Sequence, residues 1–75
     1  MFRRLKDADI VISKDNDILF EWDTENGVFW LDIDNDGTLQ TYFRHKGVRK
    51  EVAWPGATQE FFDYVNEKIA ILYEE

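Results

Sequence analysis

With 75 residues, 44% of them apolar and 16% aromatic, the chain suffices for one small domain spanning 1–75, and its composition excludes wholesale disorder. The absence of cysteine excludes a disulfide framework, a Cys-ligated zinc site and a thiol nucleophile. A formal net charge of -7 argues against general binding to nucleic-acid phosphates or to anionic membrane surfaces.

The chain opens on Met1-Phe2-Arg3-Arg4-Leu5-Lys6, a basic start like that of a signal peptide. Asp7 and Asp9 interrupt before any apolar stretch can follow, so the expected location is cytoplasmic. No run of apolar residues is long enough to span a membrane. Ile10-Val11-Ile12 reads as a short strand of high β-propensity, and Lys14 to Asp17 as a turn. Ile18 to Trp22 is a second strand, with Ile18, Phe20 and Trp22 on one face and Leu19 and Glu21 on the other. Asn26-Gly27 is a strong hairpin signal, because both residues tolerate positive φ. Val28 to Asp34 and Thr38 to Arg44 are the third and fourth strands, joined through Asn35-Asp36-Gly37. Gly47 marks a further turn, and Val48 to Trp54 alternates as a fifth strand.

At Trp54-Pro55-Gly56 the apolar period changes from 2 to 3.6. Thr58 suits an N-cap, and Phe61, Val65, Ile69 and Leu72 fall on one stripe of a helix expected over 58–75. The predicted fold is therefore α+β: an antiparallel meander of four to five strands with one C-terminal amphipathic helix on one face. Phe29, Leu31, Ile33, Leu39, Thr41 and Phe43 are expected on the helix side. Val28, Trp30, Asp32, Gln40, Tyr42 and Arg44 then occupy the other face. Either the twisted sheet curls over Trp30 and Tyr42, or they form a partner surface, since Trp and Tyr are favoured at binding hot spots.

Few residues carry catalytic chemistry. His45 is the only histidine, Ser13 the only serine, and no Gly-rich phosphate loop is present. Without a nucleophile, base and oxyanion donor the chain is not expected to be an enzyme or to hold a cofactor, and a sheet with one helix is not expected to enclose a small-molecule pocket. Asp32-Ile33-Asp34-Asn35-Asp36-Gly37 opens like a calcium loop, with Asp32, Asp34 and Asp36 as ligands, but Phe43 stands where a bidentate Glu belongs. Asp-rich turns ending in Gly are also ordinary hairpin chemistry. Divalent-cation binding thus stays an alternative, as does a small assembly subunit pairing through the edge strands Ile10–Ile12 or Val48–Trp54.

Charge is segregated along the chain. Ten acids lie between Asp7 and Asp36 with one base, Lys14, whereas Arg44, Lys46, Arg49 and Lys50 cluster later. Such segregation keeps a small protein soluble, or steers it towards a partner of opposite sign. In size and composition alone the chain is similar to the small acidic proteins that phages and mobile elements use to block host enzymes. That resemblance implies a non-enzymatic inhibitor or regulator that binds a protein with a basic surface, which can be a nucleic-acid-binding one that the acids engage as a nucleic-acid mimic. The contact residues expected for it are Asp15, Asp17, Asp23, Glu25, Asp34 and Asp36, taken to project from turns, with Trp30 and Tyr42 as anchors and Trp22 in reserve.

Overall fold

Five antiparallel strands pair strictly in chain order, β1-β2-β3-β4-β5, in the structure, a computed structural model that describes residues 2–75. Met1, the first residue of the basic N-terminal motif, lies outside the described residues. A 3-10 turn at Leu5–Asp7 leads into β1 (Asp9–Ile12), β2 (Ile18–Thr24), β3 (Gly27–Ile33), β4 (Leu39–His45) and β5 (Val48–Trp54), and α1 (Gln59–Leu72) follows. The α+β meander expected from the change of period is the fold observed.

Hairpin chemistry sets the register. Thr24 pairs with Gly27, so Trp22 lies opposite Phe29 and Phe20 opposite Leu31. The turn residues are Glu25 and Asn26, and Asn26 does not adopt the positive φ expected of it. Its side-chain amide instead donates to the Leu72 carbonyl (3.0 Å) at the end of α1. Gly27 carries the unusual conformation, φ 148°. A Cβ there would sit 2.0 Å from the Arg44 carbonyl oxygen, so only glycine lets β3 and β4 approach at this point. Between β3 and β4, Gly37 (φ 90°) closes a three-residue loop, with the Asp34 N–H bonded to the Thr38 carbonyl and the Gly37 N–H to that of Asp34.

The covered face is apolar except at Thr41, which is buried there and whose hydroxyl accepts from the Trp54 indole N–H (3.1 Å). Trp22, Phe29, Leu31, Leu39 and Phe43 meet Phe61, Val65, Ile69 and Leu72 of α1, all of them buried. The Thr58 hydroxyl accepts from the Phe61 N–H and caps the helix. The helix ends at Leu72, three residues short of the expected 75, because Glu74 turns left-handed (φ 57°) and its N–H bonds back to Ile71.

Two features of this core differ from expectation. Trp22, held in reserve as a binding residue, is 0% exposed, and its indole N–H donates to the Arg4 carbonyl (2.8 Å). The N-terminal segment also joins the core: Phe2 lies edge-on to Trp22 and Phe61, and Leu5 packs nearby. Arg4 ties this segment to the other end of the chain, with its guanidinium on the Glu75 carboxylate (2.6 Å) and over the Tyr73 ring. Among the described residues no helix is long and apolar enough to cross a membrane.

Candidate protein-binding face

Side chains alternate across a strand, so the residues skipped by the core line the other face. Among the described residues no element covers the centre of that face, and the register arranges it in three cross-strand rows. The middle row runs Asp9, Glu21, Trp30, Tyr42, Glu51 from β1 to β5. On one side lies Val11, Leu19, Asp32, Gln40, Ala53, and on the other Asp23, Val28, Arg44, Arg49. Two aromatic rings therefore sit at the centre of the sheet with carboxylates before and after them.

Trp30 and Tyr42 pack with ring centroids 5.2 Å apart, a distance at which aromatic pairs attract. Trp30 is 36% exposed and Tyr42 half-buried. The indole N–H of Trp30 donates to Asp23 Oδ1 at 3.0 Å, which orients the ring and holds the carboxylate beside it. Asp23 thus lies within β2, facing the sheet surface, and not on a turn as expected. Carboxylate oxygens of Asp9, Glu21 and Asp23 come within 4.8 Å of one another, which concentrates negative charge at the β1–β2 side of the aromatic pair. An open cleft of about 670 Å³ runs beside the rings, lined by Leu19, Trp30, Asp32, Gln40, Thr41, Tyr42, Glu51, Val52 and Ala53. A pocket of this size was not anticipated for one sheet and one helix; it forms on the sheet surface and not in the interior.

The other predicted contacts divide between the two ends of the sheet. Asp15 and Asp17 in the β1–β2 turn share one end with Asp34 and Asp36 in the β3–β4 turn, and Glu25 lies at the opposite end. The two acidic turns are joined. The Asn35 N–H donates to Asp17 Oδ1 (2.8 Å) and its side-chain amide to the Asp15 carbonyl (2.7 Å). Asp17 and Asp34 are consequently half-buried, where free projection was expected. Partial burial, together with the neighbouring carboxylates of Asp32, Asp17 and Asp36, pushes the Asp34 pKa above the ordinary carboxylate value. Asp36 moves the other way, because the hydroxyl (2.6 Å) and N–H (2.9 Å) of Thr38 both donate to its Oδ1. Asp32 faces the open sheet surface from β3, so the three residues of the calcium-like motif are spread over a strand and its turn.

Charge segregation along the chain is kept only in part in space, because Asp23 and Glu25 share the end that holds the bases. The meander brings the acidic turns to one end, while Arg44, Lys46 and Arg49 gather at the other, where Arg44 and Arg49 lie directly opposite each other. Asp9, Glu21 and Glu51, absent from the residues expected at the site, enter it through the register. Compared with known proteins, the chain matches no family model, no curated protein and no solved structure.

Proposed function

We propose that the protein is a non-enzymatic inhibitor or regulator that binds a basic surface of another protein through the uncovered sheet face and the adjoining acidic turns. The observation carrying this reading is the Trp30–Tyr42 pair at the centre of that face, between Glu21 and Glu51 in the same row. Lysine and arginine heads attract both the carboxylates and the ring faces, so one surface offers charge pairing and cation–π contact together. The division of labour follows from solvation. Exposed ion pairs contribute roughly 0–1 kcal/mol each, so the acids act mainly by raising the encounter rate. The desolvated rings then slow dissociation. A cytoplasmic protein with a basic nucleic-acid-binding groove, blocked in the way phage and mobile-element inhibitors block their targets, is the partner this surface fits.

The test begins with capture from host lysate at low and high salt, followed by binding kinetics on the partner obtained. Reversing the charge of Asp15, Asp17, Asp34 and Asp36 together should slow association and leave dissociation nearly unchanged. Trp30→Ala and Tyr42→Ala should speed dissociation. An affinity indifferent to salt between about 0.05 and 0.5 M, across which the Debye length falls severalfold, would sink the proposal.

A further inference from the structure

The two edges of the sheet are built differently. At β5 the outward strand carries Arg49, Lys50 and Glu51 at its centre, the charged protection that discourages further pairing. At β1 the centre is Ile10, Val11 and Ile12, which are 53%, 50% and 66% exposed. Three consecutive aliphatic residues project from the strand, one on the uncovered face and two on the covered side, beyond the reach of α1.

The backbone of β1 is also oriented for pairing. The Ser13 N–H bonds to the Asp17 carbonyl (2.9 Å), which continues the β1–β2 register by one residue. In an antiparallel ladder the bonded residues alternate, so Val11 and Asp9 turn their N–H and C=O groups towards β2. Ile10 and Ile12 therefore turn theirs outward, away from the sheet. The outward donors and acceptors belong to Ile10 and Ile12, whose exposed side chains stand on either side of that of Val11.

We propose that this edge takes an extended aliphatic segment of another protein, flanked by lysine or arginine, as a sixth strand. Charge selects this occupant over a second copy. Each copy carries a net charge of -7, and antiparallel self-pairing about Val11 would set Asp7 of one copy opposite Asp15 of the other, with Lys14 offsetting only part of the charge of Asp7, Asp9, Asp15 and Asp17. A segment with basic flanks meets Asp9 and Asp15 with attraction at both ends. The site is distinct from the Trp30–Tyr42 centre, two strands away, and stands without it.

The probe is a synthetic peptide, Lys-Lys-Val-Ile-Val-Ile-Lys-Lys, titrated into the isotope-labelled full chain and followed by amide NMR and hydrogen exchange. Its expected signature is shifted Ile10 and Ile12 amides whose exchange slows about tenfold or more as the outward N–H groups gain partners. A peptide with glutamate in place of each lysine should bind at least about tenfold more weakly. Ile12→Lys, which gives β1 the protection β5 has, should weaken binding about three- to tenfold, and Ile10→Thr should weaken it in the same direction. Trp30→Ala should leave it unchanged, which separates this site from the face. Shifts confined to β5 or to Trp30 and Tyr42, or equal affinity for the glutamate peptide, overturn the proposal. So does sedimentation as a dimer with Ile10 and Ile12 already protected, because the occupant is then a second copy.

Discussion

Trp22 and Trp30 lie on adjacent strands of the same hairpin and face opposite ways. Trp22 stands opposite Phe29, is sealed under α1 and gives its N–H to the Arg4 carbonyl. Trp30 stands opposite Glu21, keeps a third of its surface in water and gives its N–H to a carboxylate. The same side chain is a structural keystone on one face and an accessible surface on the other, and a one-residue slip that set Trp22 opposite Trp30 would put both on the same face. Aromatic content therefore says little about function until the pairing is known. The covered face spends its rings on burial, and the uncovered face holds its rings among charges.

The comparison breaks most visibly through truncation. Trp22→Ala should cost about 3–5 kcal/mol, as should Phe61→Ala beneath it, a large share of the stability of a small domain. Trp30→Ala should cost only about 1 kcal/mol, the scale of one aromatic pair, because its hydrogen bond is replaced by water. Urea unfolding of the three variants checks the contrast, and equal losses at Trp22 and Trp30 would mean that both faces are buried. A smaller change sharpens the picture of the uncovered face. Arg44 and Arg49 are direct cross-strand neighbours, so Arg49→Glu should raise stability by about 0.2–1 kcal/mol, measured as a higher unfolding midpoint at low salt.

The smallest effect lies in the acidic turns. The lowered pKa of Asp36 gives stability above its unfolded value, and that stability is lost as pH falls through the folded one. The raised pKa of Asp34 acts in reverse: its contribution is present below the unfolded value and is lost as pH rises through the folded one. Unfolding followed between roughly pH 2 and 6, which brackets ordinary carboxylates, should therefore show opposite trends. At the upper end Asp34→Asn should be more stable than the parent and Asp36→Asn less stable.

Much of this was legible in the sequence because it rests on local periods. The alternation in β3 and β4 identified the face against α1, and the stripe from Phe61 to Leu72 identified the helix side that meets it. The burial of Trp22 was also within reach: a two-residue turn at Glu25 and Asn26 places it opposite Phe29. The N-terminal contribution was not, since Phe2 and Leu5 show no period in so short a run. The acidic flank of Trp30 was hidden for a different reason. Asp9 joins Glu21 and Asp23 only through the β1–β2 register, and the three-residue loop that sets it puts a left-handed Asn16 (φ 67°) where the β3–β4 loop has Gly37, so no glycine marks in the sequence where it closes. The bridge from Asn35 to Asp15 and Asp17 likewise joins two turns that are distant along the chain.

The clasp between the chain's two ends bears on how the protein folds. Every strand pair in the meander joins neighbours in sequence, which favours rapid, zipper-like assembly with little loop-closure cost. Phe2 against Phe61, the Arg3 N–H on Asn66 and Arg4 on Glu75 are the contacts that close nearly the whole chain into one loop. Loop-closure entropy therefore leads us to expect these contacts to form after the hairpins and to open before them. The N-terminal strap over the indole of Trp22 is thus expected to be the first part of the fold to open, which hydrogen exchange at residues 2–7 against that of β2 to β4 checks.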